Sequence, residues 1–233
     1  MEPKSNLAEK IAGYYRPDSR WHYYYSRTKL KTDPLYGGVF ELLRGRTLPL
    51  LDIGCGMGLL AFYLRLKEWE TPYLGLDFDS QKINAAKLVS AQHFSSHGIP
   101  APEFRLSDAR TPLPIHSGDV TMLDVLQFMD QSQQVTLLTQ LAAKVAPGGR
   151  FIIRNTLRDK SWRFRFTKAG DWFAKLTFWM KSFPVCYPTR EFLCETLAAS
   201  GMEGKTNPLW GGTPFNNHLL VFEKSPRPNA AAD

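Results

Sequence analysis

Gly54, Gly56 and Gly58 alternate directly behind an acid, Asp52, at the end of the apolar run Leu50-Leu51-Asp52-Ile53. Glycines at such a strand-to-helix turn let the backbone bend tightly and approach a bound nucleoside where a Cβ would intrude. A dinucleotide turn takes the spacing G-x-G-x-x-G and seats a pyrophosphate on the helix N-terminus. Here the spacing is G-x-G-x-G, and Leu59 stands where the third glycine would be. That spacing points away from a pyrophosphate ligand and towards a smaller, cationic one. Asp77 closes the next apolar run, 23 residues beyond Gly54. A carboxylate there can accept both hydroxyls of a ribose, or it can belong to the cap of the helix that Asp79 and Ser80 begin.

The elements needed to position these residues follow from the hydrophobic pattern. Strands are expected over 48–53, 72–77, 102–107, 119–125 and 150–155, with helices over 58–68, 79–96 and 130–145 between them. Such alternation implies a parallel sheet with right-handed crossovers and helices on both faces. A helix over 188–200, a strand near 204–210, a turn at Gly211-Gly212-Thr213-Pro214 and a strand over 218–224 follow. The last two strands are joined by too few residues for a crossover, so they should be antiparallel. Residues 1–46 read as a helical cap, with helices over 4–14 and 23–31 and a break at Asp33-Pro34. The main domain spans 47–224, with an aromatic, basic insert over 157–187, and the tail 225–233 is expected to be disordered.

The bulk properties suit one soluble α/β domain. The 233 residues are 43% hydrophobic and 22% charged, ordinary for a globular chain able to bury a full core. The net charge of +7 is unevenly placed: residues 1–50 carry +4, 51–150 carry −2, 151–190 carry +7 and 191–233 carry −2. Fields of this kind steer partners rather than specify a fold. Cys55, Cys186 and Cys194 are three, so one must stay unpaired within the chain, and no C-x-x-C spacing suggests zinc. A reducing cytoplasm is the expected location. Met1-Glu2-Pro3-Lys4-Ser5 lacks the apolar core of a secretory signal, and no run approaches the ~18 apolar residues of a membrane span.

Asp52-Ile53-Gly54-Cys55-Gly56-Met57-Gly58 resembles the first motif of the class I S-adenosylmethionine (SAM) methyltransferases. Pro72-Tyr73-Leu74-Gly75-Leu76-Asp77 resembles that family's second strand, Leu106-Ser107-Asp108-Ala109 its acid-plus-small adenine pair, and 144–153 its helix end, turn and fifth strand. The resemblance implies a Rossmann-like seven-stranded sheet, six strands parallel and the seventh reversed, with SAM as cofactor. It places Asp77 on the ribose, Phe78 and Lys82 about the adenine, and Asp108 with Ala109 at the adenine edge. Asp52 would hold the methionyl ammonium, directly or through water, or orient the turn formed with Gly54, Cys55, Gly56 and Gly58. Tyr25 or Lys29 would meet the methionyl carboxylate, and packing of their helix is the alternative. Asp124 and Val125 end the fourth strand under the reactive methyl. Cys55 reads as a small loop residue.

Substrate is expected over the ends of strands four and five and the loop before the last strand. The contact residues would be Arg154, Trp179, Trp210, Phe215, Asn216 and Asn217, although Asn216 and Asn217 could equally close the hairpin. Metal-dependent catechol methyltransferases keep an acid where Arg154 stands, and a guanidinium would repel Mg²⁺, so no metal is expected. Asp124-Val125-Leu126-Gln127 lacks the (Asp/Asn)-Pro-Pro-aromatic pattern of methyltransferases acting on base amines, and nothing calls for nucleic acid. In the insert, Asp171 can cap a helix whose residues 172, 173, 176, 179 and 180 share an apolar face. That helix suits a lid, a membrane-surface contact through 171–183, or an acidic carrier.

Lys29-Leu30-Lys31-Thr32-Asp33-Pro34-Leu35-Tyr36 and Trp210-Gly211-Gly212-Thr213-Pro214-Phe215-Asn216-Asn217 are similar to strings in methyltransferases of bacterial aryl polyene pigment pathways. That likeness implies methylation of a hydroxyphenyl ring; more broadly the expected substrate is an aromatic or polyketide-like small molecule, which an acidic acyl carrier protein complementary to the basic cap and insert could carry. Proton removal could fall to His22, to His218 or to one of Tyr23, Tyr24 and Tyr25. Two other readings stay open: an RNA methyltransferase, from the same basic aromatic segments, and a SAM-binding protein without turnover.

Overall fold

Mainly apolar runs become central strands, and more polar ones become edges. The computed structural model describes residues 4–94, 100–176 and 184–226. In chain order the elements are α1 (Lys4–Tyr15), α2 (Arg20–Thr32), α3 (Leu35–Leu43), β1 (Leu50–Ile53), α4 (Leu59–Leu66), β2 (Tyr73–Asp77), α5 (Ser80–Phe94) and β3 (Glu103–Leu106). There follow β4 (Asp119–Leu123), α6 (Gln131–Lys144), β5 (Arg150–Thr156), α7 (Trp162–Leu176), α8 (Arg190–Ala198), β6 (Met202–Pro208) and β7 (Asn217–Lys224). The seven strands form one sheet in the order β3-β2-β1-β4-β5-β7-β6. Pairing is parallel for β1 with β2, β2 with β3 and β4 with β5, while β7 runs antiparallel to both β5 and β6. The reversed seventh strand expected from the short final connection is therefore present.

Burial follows position in the sheet. Every residue of β1 is buried and all but the first of β5, as expected for strands covered on both faces. Only Phe104 of β3 is buried, and β6 exposes most of its length, so both edges present polar side chains that discourage pairing with another chain.

The chain divides into two compact units, residues 1–113 and 114–233. In the first, α1 packs against α2, α4 and α5, through Leu7, Ala8, Ile11, Ala12 and Tyr15, all at most 2% exposed. The N-terminal helices thus share a unit with β1, β2 and β3. Helix α4 is buried on nearly every side, and Arg65 at its end gathers the carbonyls of Trp69, Thr71 and Pro100 at 2.6, 3.0 and 3.0 Å. That triple acceptance fixes the α4–β2 connection. In the second unit, α6 opens with a full capping box between Asp130 and Gln133. The buried Gln134 donates to the carbonyls of Leu126, Met129 and Cys186, and this pins segment 184–188 to the loop after β4.

The structure adds one helix and moves the start of another. The break expected at Asp33-Pro34 is present, since α2 ends at Thr32 with Asp33 as its C-cap, but the same pair also opens a third helix: Gly38 N donates to Pro34 O at 3.0 Å, and Leu35 N donates to Asp33 Oδ1 at 3.0 Å. Proline is tolerated at a helix start because its missing N–H would be unpaired there anyway. The helix of the insert starts not at Asp171 but at Trp162: Ser161 Oγ accepts from Phe164 N at 3.1 Å, and Asp159 Oδ1 accepts from Ser161 N at 2.8 Å. Asp171 lies within α7, and Trp179 lies outside the described residues, as do 177–183 of the expected membrane-contact segment and 227–233 of the tail.

Candidate functional site

The glycine turn is built by bonds to the end of β2. Gly54 N and Cys55 N both donate to Leu76 O, at 2.7 and 3.0 Å, and Gly58 N donates to Cys55 O at 3.0 Å. Gly56 N donates to Asp77 Oδ2 at 2.8 Å. Four amides of the turn are thus committed inside the protein, and the first residues of α4, Leu59, Leu60 and Ala61, are 5%, 2% and 1% exposed. A diphosphate needs free amides at an open helix start; this turn offers it neither. Gly58, at φ +81, could not carry a side chain, because a Cβ would fall 2.6 Å from Phe104 Cζ. Gly56, at φ +56, has nothing within 4 Å of its Cβ position, so the turn is open on that side.

Carboxylates surround this turn. Asp77, 7% exposed, accepts from Gly56 N through one oxygen and from Asp79 N, at 2.9 Å, through the other. Capping of α5 falls to Asp79, whose Oδ1 accepts from Gln81 N at 3.0 Å. Each Asp77 oxygen keeps acceptor capacity. Asp52, 1% exposed, accepts from Tyr73 Oη at 2.5 Å. Burial, and then the charges of Asp52 and Asp77, push the Cys55 thiol well up from its ordinary value, so Cys55 stays a neutral thiol. Tyr15 Oη donates to Met57 O at 2.5 Å and ties the turn to α1. Phe78 is 64% exposed and Leu106, opposite Asp77 in register, is 57% exposed, giving two apolar surfaces at the ends of β2 and β3.

Other expected contacts in this unit have intramolecular partners. Asp108 is held by Arg110, whose Nε and Nη2 reach both carboxylate oxygens at 2.6–3.1 Å, and this pairing lowers its pKa. Ala109 beside it is half-buried, as is Lys82 on α5. Lys29 Nζ lies 2.8 Å from Asp33 Oδ2, and Tyr25 stacks on Trp21 at 5.0 Å. His22 sits edge-on to Tyr15 and Trp21, with Nδ1 3.7 Å from Asp18.

In the second unit two clusters form at the strand ends. Asp124, just after β4, has φ +61, a left-handed conformation that a non-glycine residue adopts at a cost and that gathers at functional sites. Arg154, 5% exposed on β5, donates through Nη1 to Asp124, while Asp124 N donates to Arg154 O at 2.8 Å. Val125 follows, half-buried. Among the described residues no group of acids, histidines and cysteines could hold a metal ion.

The second cluster surrounds His218 at the start of β7. Its Nδ1 lies 3.2 Å from Asn216 O, and the ring meets Trp210 edge-on at 6.1 Å. Arg163 of α7 lies between two indoles, 4.8 Å from the Trp162 ring and 4.3 Å from the Trp210 ring, and donates to Thr213 O at 2.7 Å. Burial, and then Arg190, lower the His218 pKa against the opposing pull of Asn216 O and Asp159, so the ring is neutral near pH 7. Asn216, 1% exposed, donates through Nδ2 to Leu157 O at 2.8 Å and Asp159 Oδ2 at 2.9 Å, and through its backbone N to Thr167 Oγ1 at 2.9 Å. Asn217 accepts from Thr156 Oγ1 at 3.0 Å. Phe215 is exposed, edge-on to Phe166 at 6.0 Å.

Residues 51–151 match the family model described as a methyltransferase domain. That match covers 101 of the chain's 233 residues. The activity that this match supports is methyl transfer. The fold of this methyltransferase is similar to that of magnesium protoporphyrin IX methyltransferase (ChlM) from Synechocystis PCC 6803 with bound SAH, at TM-score 0.66 and 15% identity, covering 96% of this chain and 100% of that one. It is also similar to the pyocyanin biosynthetic protein PhzM, at TM-score 0.65 and 15% identity over 92% of this chain and 61% of that one. Human N-acetylserotonin methyltransferase in complex with SAM follows at TM-score 0.60 and 18% identity, over 96% and 60% of the two chains. No curated protein matches the methyltransferase in sequence. Among its described residues no helix is long and apolar enough to cross a membrane.

For Asn216 and Asn217 the burial and hydrogen bonding fit closure of the hairpin. Asn216 and Asn217 are buried and hydrogen-bonded within the protein, so they build the start of β7 rather than present amides to a substrate. Sequence reasoning missed Tyr15, Tyr73, Asp159 and Arg163. The tyrosines read as core aromatics, while Asp159 lies just before, and Arg163 within, a stretch whose period-two alternation hides its helix.

Proposed function

We propose that this methyltransferase methylates a hydroxyl-bearing aromatic small molecule. Bound SAM supplies an electrophilic methyl on a sulfonium: a substrate oxygen or ring carbon forms the new bond to that methyl, the old bonding pair returns to sulfur, and the substrate gives up one proton. The residues of the glycine turn fit such a donor. Asp77 offers acceptors to ribose hydroxyls, Phe78 and Leu106 offer apolar faces to a base, and Asp52 and Asp77 set up a negative field that suits a cation. The committed amides argue against a diphosphate in its place.

On the acceptor side, the observation that carries the reading is His218. Asn216 O takes the Nδ1 hydrogen, so the neutral ring presents Nε2 as a base beside the flat indole of Trp210. A depressed pKa keeps that base free at neutral pH. His218 is accordingly assigned proton removal in preference to His22, whose ring is packed between Tyr15 and Trp21. The names of two fold relatives, magnesium protoporphyrin IX methyltransferase and N-acetylserotonin methyltransferase, also carry aromatic small molecules.

The substrate class is a hydroxyaryl acyl chain borne by an acidic acyl carrier protein, as in aryl polyene biosynthesis. Support comes from Arg158, Lys160, Arg165 and Lys168, all exposed, with Trp162 and Phe166 exposed among them. This basic, aromatic surface complements an acidic carrier and would speed encounter. Mass spectrometry of carrier-bound hydroxyaryl acyl chains incubated with enzyme and SAM tests the proposal. A gain of one methyl supports it, and fragmentation then separates ring carbon from oxygen. Methylation of the free hydroxyaryl acid with none of the carrier-bound form would reject the carrier, and methylation of neither would reject the substrate class.

A further inference from the structure

Asn155 holds a buried carbonyl oxygen, Oδ1, that has no hydrogen-bond partner among the described residues, and the residue is 0% exposed. The orientation of its amide is settled by the other arm, because Nδ2 donates to Thr156 O at 2.8 Å. Polar atoms buried without a partner are uncommon in native proteins and call for an explanation. Asn155 stands opposite His218 in the β5–β7 register. Directly opposed residues of an antiparallel pair put their side chains on the same face, with Cβ atoms about 4.5–5.5 Å apart.

The state of the imidazole explains the unpaired oxygen. His218 Nδ1 lies 3.2 Å from Asn216 O, and a carbonyl can only accept, so Nδ1 carries the hydrogen and Nε2 of the neutral ring is an acceptor. Two acceptors on one face cannot bond each other. Once Nε2 takes up a proton it becomes a donor, and directly opposite His218 in register, on the same face, stands the unpaired acceptor Asn155 Oδ1.

We propose that Asn155 is a positioning residue for proton transfer at His218, its Oδ1 receiving the hydrogen that Nε2 gains when the substrate hydroxyl is deprotonated. The step balances without a further reactant: the proton passes from substrate oxygen to Nε2, the O–H electron pair stays with the substrate, and His218 becomes an imidazolium bonded at Nδ1 to Asn216 O and at Nε2 to Asn155 Oδ1. Asp159, in the segment after β5, favours that cation, and Arg190, at the start of α8, opposes it. Asp159 also holds the Asn216 side chain at 2.9 Å, so the carbonyl that sets the tautomer is itself anchored. The inference relies on the methyl-transfer reading only for the origin of the proton.

Nitrogen-15 NMR of the full chain labelled at histidine, with His218 assigned through His218→Gln, tests the coupling without substrate or SAM. In the unaltered protein at pH 8, His218 should be the Nδ1–H tautomer. Asn155→Asp should raise the His218 titration midpoint by about one unit or more through a nearby negative charge, and Asn155→Leu should lower it, with the other histidines unmoved. The acid limb of the pH profile of kcat/KM for methyl transfer should move with it. An Nε2–H tautomer in the unaltered protein, or a midpoint that neither variant shifts, would overturn the inference. If Asn155→Leu fails to fold, the tautomer and Asn155→Asp decide. Shifted midpoints in an enzyme that methylates no hydroxyaryl acceptor would support the Asn155–His218 coupling and reject the methyl-acceptor reading instead.

Discussion

Replacing Asp77 by Asn removes one charge and turns one of two acceptor oxygens into a donor. Both oxygens are engaged, by Gly56 N at 2.8 Å and by Asp79 N at 2.9 Å, so in either amide orientation an NH₂ faces an N–H. The folded protein should lose about 1–3 kcal/mol, the cost of a buried donor left without its acceptor. The effect on nucleoside affinity is separate. A hydrogen bond to a charged group is worth about 1.5–3 kcal/mol, which corresponds to a roughly tenfold to 150-fold rise in Kd for the ribose contact. Isothermal calorimetry with SAM, alongside urea denaturation of the same preparation, reads the two quantities independently. Asp79→Asn is the control, since it perturbs the cap of α5 (Oδ1 to Gln81 N, 3.0 Å) one residue pair away from the ribose position and should leave affinity within about twofold. If Asp77→Asn lost stability but bound SAM as tightly as the unaltered protein, the carboxylate would be a structural clamp on the glycine turn and the ribose assignment would be wrong.

Three further outcomes are expected. Tyr73→Phe withdraws a hydroxyl donor from Asp52, a residue only 1% exposed, and should cost about 1–3 kcal/mol by urea denaturation; a change under about 0.5 kcal/mol would show that this hydrogen bond contributes little. Gly58→Ala combines φ +81 with a Cβ 2.6 Å from Phe104 Cζ, so a loss of about 2–4 kcal/mol is expected from left-handed strain plus overpacking, read as a fall in thermal midpoint; an unshifted midpoint would mean that Phe104 yields freely. For pH, burial lowers the folded-state pKa of His93, His116 and His218, so below the unfolded value of ~6.5 the unfolded chain binds more protons than the native one. Stability should therefore hold above about pH 6.5 and fall as the pH drops below it towards the lowered values. The lowered carboxylates, among them Asp108 and Asp159, add their loss only below about pH 4. Urea midpoints at pH 7.5 and 5.5 check this, and a higher midpoint at pH 5.5 would contradict it.

The sheet was legible because its signal is repetitive. The central parallel strands are mainly apolar runs bounded by polar or turn residues, and the short link through Gly211 and Gly212 leaves no room for a crossover before β7. Helices α3 and α7 were not legible in place, for different reasons. Asp33-Pro34 reads as a terminator and does end α2, but the structure also uses the proline as the first step of a new helix. Trp162-Arg163-Phe164-Arg165-Phe166 alternates apolar and basic residues with period two, so its helix is masked, and the start is set by Ser161 and Asp159 acting locally. Asp171, a good capping type, lies mid-helix because an earlier cap had already started α7.

At the site, residue type and spacing found the groups but not their partners. Asp77 stood out because an acid ending the second strand has few structural uses. Lys29 and Asp108 looked available, yet Asp33 lies four residues from the lysine and Arg110 two from the aspartate, close enough in sequence to pair. The contrast between those acids and the acids at the glycine turn carries physical meaning. Asp33 and Asp108 meet cations, while Asp77 takes two backbone amides and Asp52 takes the Tyr73 hydroxyl. Neutral donors fix a carboxylate in place without cancelling its charge, and the upward push that both acids exert on the Cys55 thiol is the trace of that surviving field. A turn whose amides are already engaged, beside carboxylates whose charge reaches Cys55, disfavours a diphosphate and favours a cation. The same backbone that could have served a dinucleotide is thereby set for a cationic nucleoside.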